Sequence, residues 1–292
     1  MYLTRKPNIY FTMKKLLKSG MAVALAAGVF MACDKADQET TLTNEETQDY
    51  STDVEISASF DELDGIIDDA VMDAETNSQI GRVSALQAYW TSCATIVHNV
   101  ENKVTTITFD GECEDARGNT RSGQIIITRE GYLFQLGGKN TAVLTDYVVN
   151  GRAVEGTRTI ENIGVTGSSM TFNRKVVGGK VTWGEGDYAT REVDHTLVWN
   201  GTNTTNEDDD TFALTGKASG QRRNGVAYTN TIINSLNYTK VCQNTGNQLP
   251  NSGVMTIQAA ERRLVTLDFG DDSCDNLVTV SVGERSRTIE VN

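Results

Sequence analysis

The sequence predicts an all-β protein, a single antiparallel β sandwich or rolled meander with one N-terminal amphipathic helix. Three observations predict it. From about Arg82 to Asn292 the chain runs in short alternating stretches rich in Val, Ile, Thr, Tyr and Phe, broken by turn dipeptides. Nothing in that stretch offers a crossover helix, so successive strands are antiparallel neighbours. Helical spacing occurs once, ahead of the strands, where Phe60, Leu63, Ile66, Ile67, Ala70 and Val71 recur on one face.

The chain start is of a different kind. From Met13 it reads Met-Lys-Lys-Leu-Leu-Lys, followed by an apolar run from Met21 to Met31 and then Ala32-Cys33. A basic segment, an apolar core of 11 residues and a small residue before the cleavage point are the three parts of a secretory signal. Such a core is shorter than the ~20 residues that span a bilayer. Residues 1–12 read as an upstream extension of this signal or as the product of a misplaced start, since the charged segment begins at Met13. Phe30-Met31-Ala32-Cys33 resembles the lipobox of bacterial lipoproteins, with Phe30 replacing the usual Leu or Val. The resemblance implies that residues 1–32 are removed and that Cys33 carries the lipid. More than one acyl chain on that residue makes a stable membrane anchor, each buried methylene contributing about 0.8 kcal/mol.

Loss of residues 1–32 removes five basic residues and no acidic one, leaving 21 basic against 39 acidic, a net charge of −18. A chain so charged repels phosphate backbones, which excludes nucleic acid as a partner. The four cysteines other than Cys33 form an even set in an exported chain and read as disulfides. Zinc, the competing use, lacks any Cys-x-x-Cys pair.

Residues 33–55 read as an acidic disordered tether, with eight carboxylates and one lysine after Cys33. The stretch Asp34-Lys35-Ala36-Asp37-Gln38-Glu39 resembles the acidic signal that sends some lipoproteins of Bacteroidota to the cell surface. Residues 56–80 are assigned to the helix, with Ser59-Phe60-Asp61-Glu62 as a capping box. Glu62, Asp68, Asp69 and Asp73 fall on its other side, which is expected to be solvated.

Residues 81–292 form the β domain. Asn150-Gly151, Asn200-Gly201, Asn224-Gly225 and Gly178-Gly179 sit between strand-like runs and supply the positive φ angles of tight hairpins. Thr106-Ile107-Thr108-Phe109-Asp110-Gly111-Glu112-Cys113 looks like Thr266-Leu267-Asp268-Phe269-Gly270-Asp271-Asp272-Ser273-Cys274, and each has an earlier cysteine before it. This internal repeat pairs Cys93 with Cys113 and Cys242 with Cys274, so that similar hairpin units at the two ends each carry a bridge.

The mature layout resembles uncharacterised β-rich lipoproteins of Bacteroidota, in which an acidic helix precedes long strands. The residues that carry the likeness are Thr215-Gly216-Lys217-Ala218-Ser219-Gly220 and the turn Arg223-Asn224-Gly225. The resemblance implies a fold and a place in the cell envelope, lipid-anchored to the outer membrane and facing the periplasm or the surface. It implies no activity.

Catalytic patterns are sparse. His98 and His195 are the two histidines, and both read as structural. Asp194 and His195 are neighbours in a strand and project to opposite faces. Gly184-Glu185-Gly186-Asp187-Tyr188-Ala189 mimics a dinucleotide fingerprint, but a strand follows it where a helix N-terminus is needed, so it reads as a turn. The acidic stretches Asp110–Asp115, Glu207–Asp210 and Asp271–Asp275 lack calcium-loop spacing and read as solvated hairpin tips. Trp90, Trp183 and Trp199 are read as core; exposed together they would make a sugar-binding platform. No catalytic, cofactor or metal residue is assigned. The expected partners are a membrane, through Cys33, and a glycan or protein. The functional expectation is a non-enzymatic binding or envelope-structural module, with a carbohydrate hydrolase using paired carboxylates as the alternative.

Overall fold

Runs with a period of two and many β-branched residues form thirteen strands in a single sheet whose spatial order is the order of the chain. The computed structural model describes residues 44–76, 90–184, 186–202, 204, 206–245 and 249–290. Helix α1 spans Asn44–Thr76. The first strands are β1 (Ala94–Asn99), β2 (Val104–Glu114), β3 (Thr120–Glu130) and β4 (Lys139–Val149). The long central strands are β5 (Arg152–Thr166), β6 (Ser169–Thr182), β7 (Tyr188–Asn200), β8 (Thr211–Gln221) and β9 (Ala227–Thr239). After the short helix α2 (Lys240–Asn244) come β10 (Ser252–Ala259), β11 (Val265–Asp271), β12 (Leu277–Val282) and β13 (Arg285–Glu290). Of the two expected layouts, the meander is the one formed. The sheet does not close, and β1 and β13 are its edges.

Each strand alternates between an inner face, turned toward α1 or the second core, and an outer face in solvent. One register row on the outer face runs through Thr128, Thr141, Thr159, Lys175, Asp194 and Lys217, three hydroxyls followed by two lysines on either side of an aspartate. The inner face builds two apolar cores. One gathers the apolar stripe of α1 (Ile56, Phe60, Leu63, Ile66, Ile67, Ala70, Val71) with inner residues of β2 to β7 and with Tyr228 and Ala259. The other lies within β9 to β13, around Leu267, Phe269, Val278 and Val280. Each fully buried aliphatic or Phe side chain contributes about 1.5–3 kcal/mol relative to exposure, so the stripe alone fixes α1 on the sheet.

The helix differs from expectation in two ways. It begins at Asn44, within the stretch assigned to the tether, and Ser59 therefore lies in its middle as a buried residue rather than at a cap. The acidic side of α1 is solvated only in part, Asp73 being exposed while Glu62, Asp64 and Asp68 are engaged. Its carboxylates meet arginines projecting from the inner face of the sheet.

Two turn assignments are corrected. Gly178-Gly179 lies inside β6, where the register against β7 shifts between Val176 and Gly179, so the pair forms a bulge. Asn200-Gly201 begins a longer connection containing a 3-10 turn at Glu207–Asp209, because the chain there bonds back to Ser168 instead of reversing. Asn150-Gly151 does make the tight reversal between β4 and β5, with φ of 50° and 74°. The Gly184–Tyr188 stretch turns into β7, as its context required. Bulges also require glycine elsewhere. Gly123 has φ +87°, and a Cβ there would overlap the Asp146 carbonyl.

The repeated units correspond in structure. Cys93 ends a 3-10 turn before β1 and Cys113 lies in β2, while Cys242 lies in α2 before β10 and Cys274 follows β11. Cys93 and Cys113 have Cα atoms 5.3 Å apart, and Cys242 and Cys274 5.1 Å apart, both at disulfide distance. Phe109 and Phe269 occupy equivalent buried positions, and Gly111 and Gly270 share φ +86°. Cys33 and the signal segment 1–32 lie outside the described residues.

Candidate functional site

Positions on β7 alternate strictly, so Arg191, Val193, His195, Leu197 and Trp199 all fall on the inner face. Asp194 is exposed on the other side. Around this line the inner face divides into an ion-paired region under α1 and an aromatic region at the strand ends.

Under α1, Arg121 of β3 pairs with Glu62 and with Asp115. Arg158 of β5 pairs with Asp64 at 2.5 Å and with Asp68 at 2.7 Å, and Arg174 of β6 also reaches Asp68. Burial raises Asp68, but the two guanidinium groups outweigh it and hold its carboxyl below the ordinary value. Asp115 is likewise driven up by burial and brought down further by the Asn119 and Arg117 amides and by Arg121. It is therefore a buried bracing group, contrary to the expected solvated tip. Asp69 accepts from Trp90 Nε1 at 3.0 Å and Glu75 from the Leu133 amide at 3.1 Å. Burial dominates at both and raises them. These carboxylates are engaged in holding the helix, which takes them out of the paired-carboxylate arrangement a glycosidase needs.

The histidines separate clearly. His98 bridges Thr105 Oγ1 (2.9 Å) and Asp73 Oδ2 (3.2 Å), a hydroxyl–imidazole–carboxylate chain. Thr105 is fully buried, so the chain ties the end of α1 to the β1–β2 hairpin and presents no accessible nucleophile. His195 is pushed down to about 4, first by burial and then by Arg191 and Arg174, and is neutral at physiological pH.

At the strand ends, Met170, Trp199, Phe212 and Tyr238 are successive register neighbours on β6, β7, β8 and β9. All four are half-buried. Trp199 lies 6.1 Å from Phe212 at an interplanar angle of 25°, and Phe134 stands edge-on to it at 5.9 Å. Four strands at the usual spacing make a strip about 14 Å long. The next row, Ser169, Asn200, Thr211 and Thr239, is polar and by the same alternation projects to the opposite face, with Ser169 Oγ donating to Asn200 Oδ1 and Asn200 Nδ2 to Thr211 Oγ1. Of the three tryptophans, Trp90 is buried in the core and Trp183 and Trp199 are partly buried and packed against it, Trp183 under the Arg223 guanidinium at 4.6 Å and Trp199 within this strip. The strip escaped the sequence reading because it depends on strand register. Alternation placed Trp199 on the face of Arg191, but nothing in the chain aligned it with Met170 and Tyr238.

The chain matches no protein-family model, no curated protein and no solved structure.

Proposed function

We propose that the mature chain is a non-enzymatic binding module, anchored to the bacterial envelope through lipid on Cys33, and that the strip Met170–Trp199–Phe212–Tyr238 receives a neutral glycan. The observation that carries this reading is the in-register, half-buried row of one methionine and three aromatic side chains on four neighbouring strands. Aromatic faces pack on the C–H faces of sugar rings. A net charge of −18 after loss of residues 1–32 disfavours anionic polymers and leaves neutral glycans as the compatible class. Two cysteine pairs at disulfide distance support an oxidising compartment, in keeping with the lipobox resemblance.

The test is affinity electrophoresis and calorimetry of the mature chain against a panel of neutral polysaccharides. The expected result is binding to at least one member, weakened about tenfold or more by Trp199→Ala. Absence of binding across the panel, or binding that Trp199→Ala leaves unchanged, overturns the assignment. Intact-mass measurement of the native protein tests the anchor separately: diacylglyceryl-Cys33 at the N-terminus is expected, and an unacylated chain retaining residues 1–32 contradicts it.

A further inference from the structure

Arg121, Arg158, Arg174 and Arg191 project from the inner face, and the first three have carboxylate partners. Arg121, Arg158 and Arg174 are matched by Glu62, Asp64, Asp68 and Asp115. Arg191 is different. It is 5% exposed, and its Nε and Nη1 are buried without a hydrogen-bond partner. A guanidinium taken out of water without a counter-charge is strongly unfavourable, and buried charges are as a rule paired.

Arg191 is flanked by glycine on both neighbouring strands. Its register neighbours are Gly179 on β6 and Gly220 on β8, so neither adjacent strand places a side chain beside it. A Cβ at Gly179 would come within 3.0 Å of the Phe60 ring, and one at Gly220 within 3.1 Å of the Tyr228 hydroxyl. The Phe60 ring and the Tyr228 hydroxyl thus pack against the two glycines that flank the arginine. Beyond Tyr228 lies a second buried arginine, Arg222, 5.9 Å from the ring centroid. On the other side along β7 is His195, which contributes no charge at physiological pH. Among the described residues no carboxylate forms an ion pair with Arg191.

We propose that Arg191 anchors an oxyanion site on the inner face of the sheet, filled by a carboxylate or phosphate group. The guanidinium fork matches either oxyanion with paired N–H donors, a geometry that a chloride ion does not exploit. The small accessible edge of Arg191 admits a compact group rather than a polymer. This site is separate from the aromatic strip, and its test does not depend on glycan binding.

Thermal unfolding and calorimetry of the mature chain are compared in inorganic phosphate, acetate and butyl phosphate, each against chloride at equal ionic strength. At saturation an oxyanion is expected to raise Tm by about 4 °C or more over chloride. Preference for butyl phosphate over inorganic phosphate identifies a headgroup carrying a chain, and preference for the free ions identifies a small solute. Arg191→Met is expected to abolish the oxyanion response and to be at least as stable as the wild type in chloride. Should that variant fail to fold, the wild type still decides through the His195 ring resonance, whose titration near 4 moves upward when an anion sits nearby. An unchanged Tm and an unmoved His195 titration in all three oxyanions, or a response that Arg191→Met retains, overturns the proposal.

Discussion

Replacing Asp64 and Asp68 together by Asn severs the same contacts to Arg158 as replacing Arg158 by Met, yet the two changes should not cost the same. The Arg158 side chain is 4% exposed, whereas Asp64 and Asp68 retain 22% and 35%. When the arginine is removed, both carboxylates can turn to water, and the cost is limited to lost contacts, about 2 kcal/mol. When the carboxylates are removed, the guanidinium stays buried without a counter-charge, and Arg174 loses its Asp68 partner as well. That change should cost about 4 kcal/mol, in the range measured for breaking a buried pair from one side. The triple variant carrying all three substitutions should recover to about the level of Arg158→Met, because no buried cation is then left unpaired. Urea unfolding followed by tryptophan emission is the assay, since Trp90 lies in the same core as α1. Equal costs for the two changes, or an Asp64/Asp68 variant within about 1 kcal/mol of wild type, would refute the reasoning that buried arginines clamp the helix.

Further outcomes follow from the same geometry. Asp68 and Asp115 lie below their ordinary value of 3.8, so the stability they contribute is complete above pH 3.8 and declines as pH falls below it; unfolding midpoints should drop there and nowhere between pH 5 and 8 on their account. Asp69 is raised, so its charged form opposes folding at neutral pH. Asp69→Asn, which still accepts from Trp90, should match or exceed wild-type stability at pH 7, the difference vanishing near pH 3 in a urea titration. Replacing Cys93 or Cys242 by Ser opens loops of 20 and 32 residues and should cost about 3 kcal/mol each, read from denaturation with and without reductant. Gly123→Ala forces a Cβ onto the Asp146 carbonyl at a positive φ and should lower stability by about 2 kcal/mol or more in the same assay.

Strand existence and antiparallel order were legible because alternation and turn residues are local signals. Phe109-Asp110-Gly111 and Phe269-Gly270 even revealed the equivalence of the two cysteine-bearing units. What stayed hidden was pairing across distance. A run such as Glu62, Asp64, Asp68 reads as a solvated helix face until Arg121, Arg158 and Arg174 are known to stand opposite, and those arginines are scattered over three strands. Glycines were likewise ambiguous. Gly151 makes a reversal and Gly178 a bulge, a difference set by neighbouring register and not by the dipeptide. The aromatic strip is the extreme case, since each member is an ordinary strand residue until four registers coincide.

Trp199 can report on its own site. In a variant with Trp90 and Trp183 both replaced by Phe, emission comes from the residue at the centre of the strip. Titration with the neutral glycan that the wild type binds should give a saturable blue shift with the same midpoint as calorimetry, because a sugar stacked on the ring excludes water. Binding that leaves this emission unmoved would place the ligand elsewhere on the molecule and contradict the assignment of the strip.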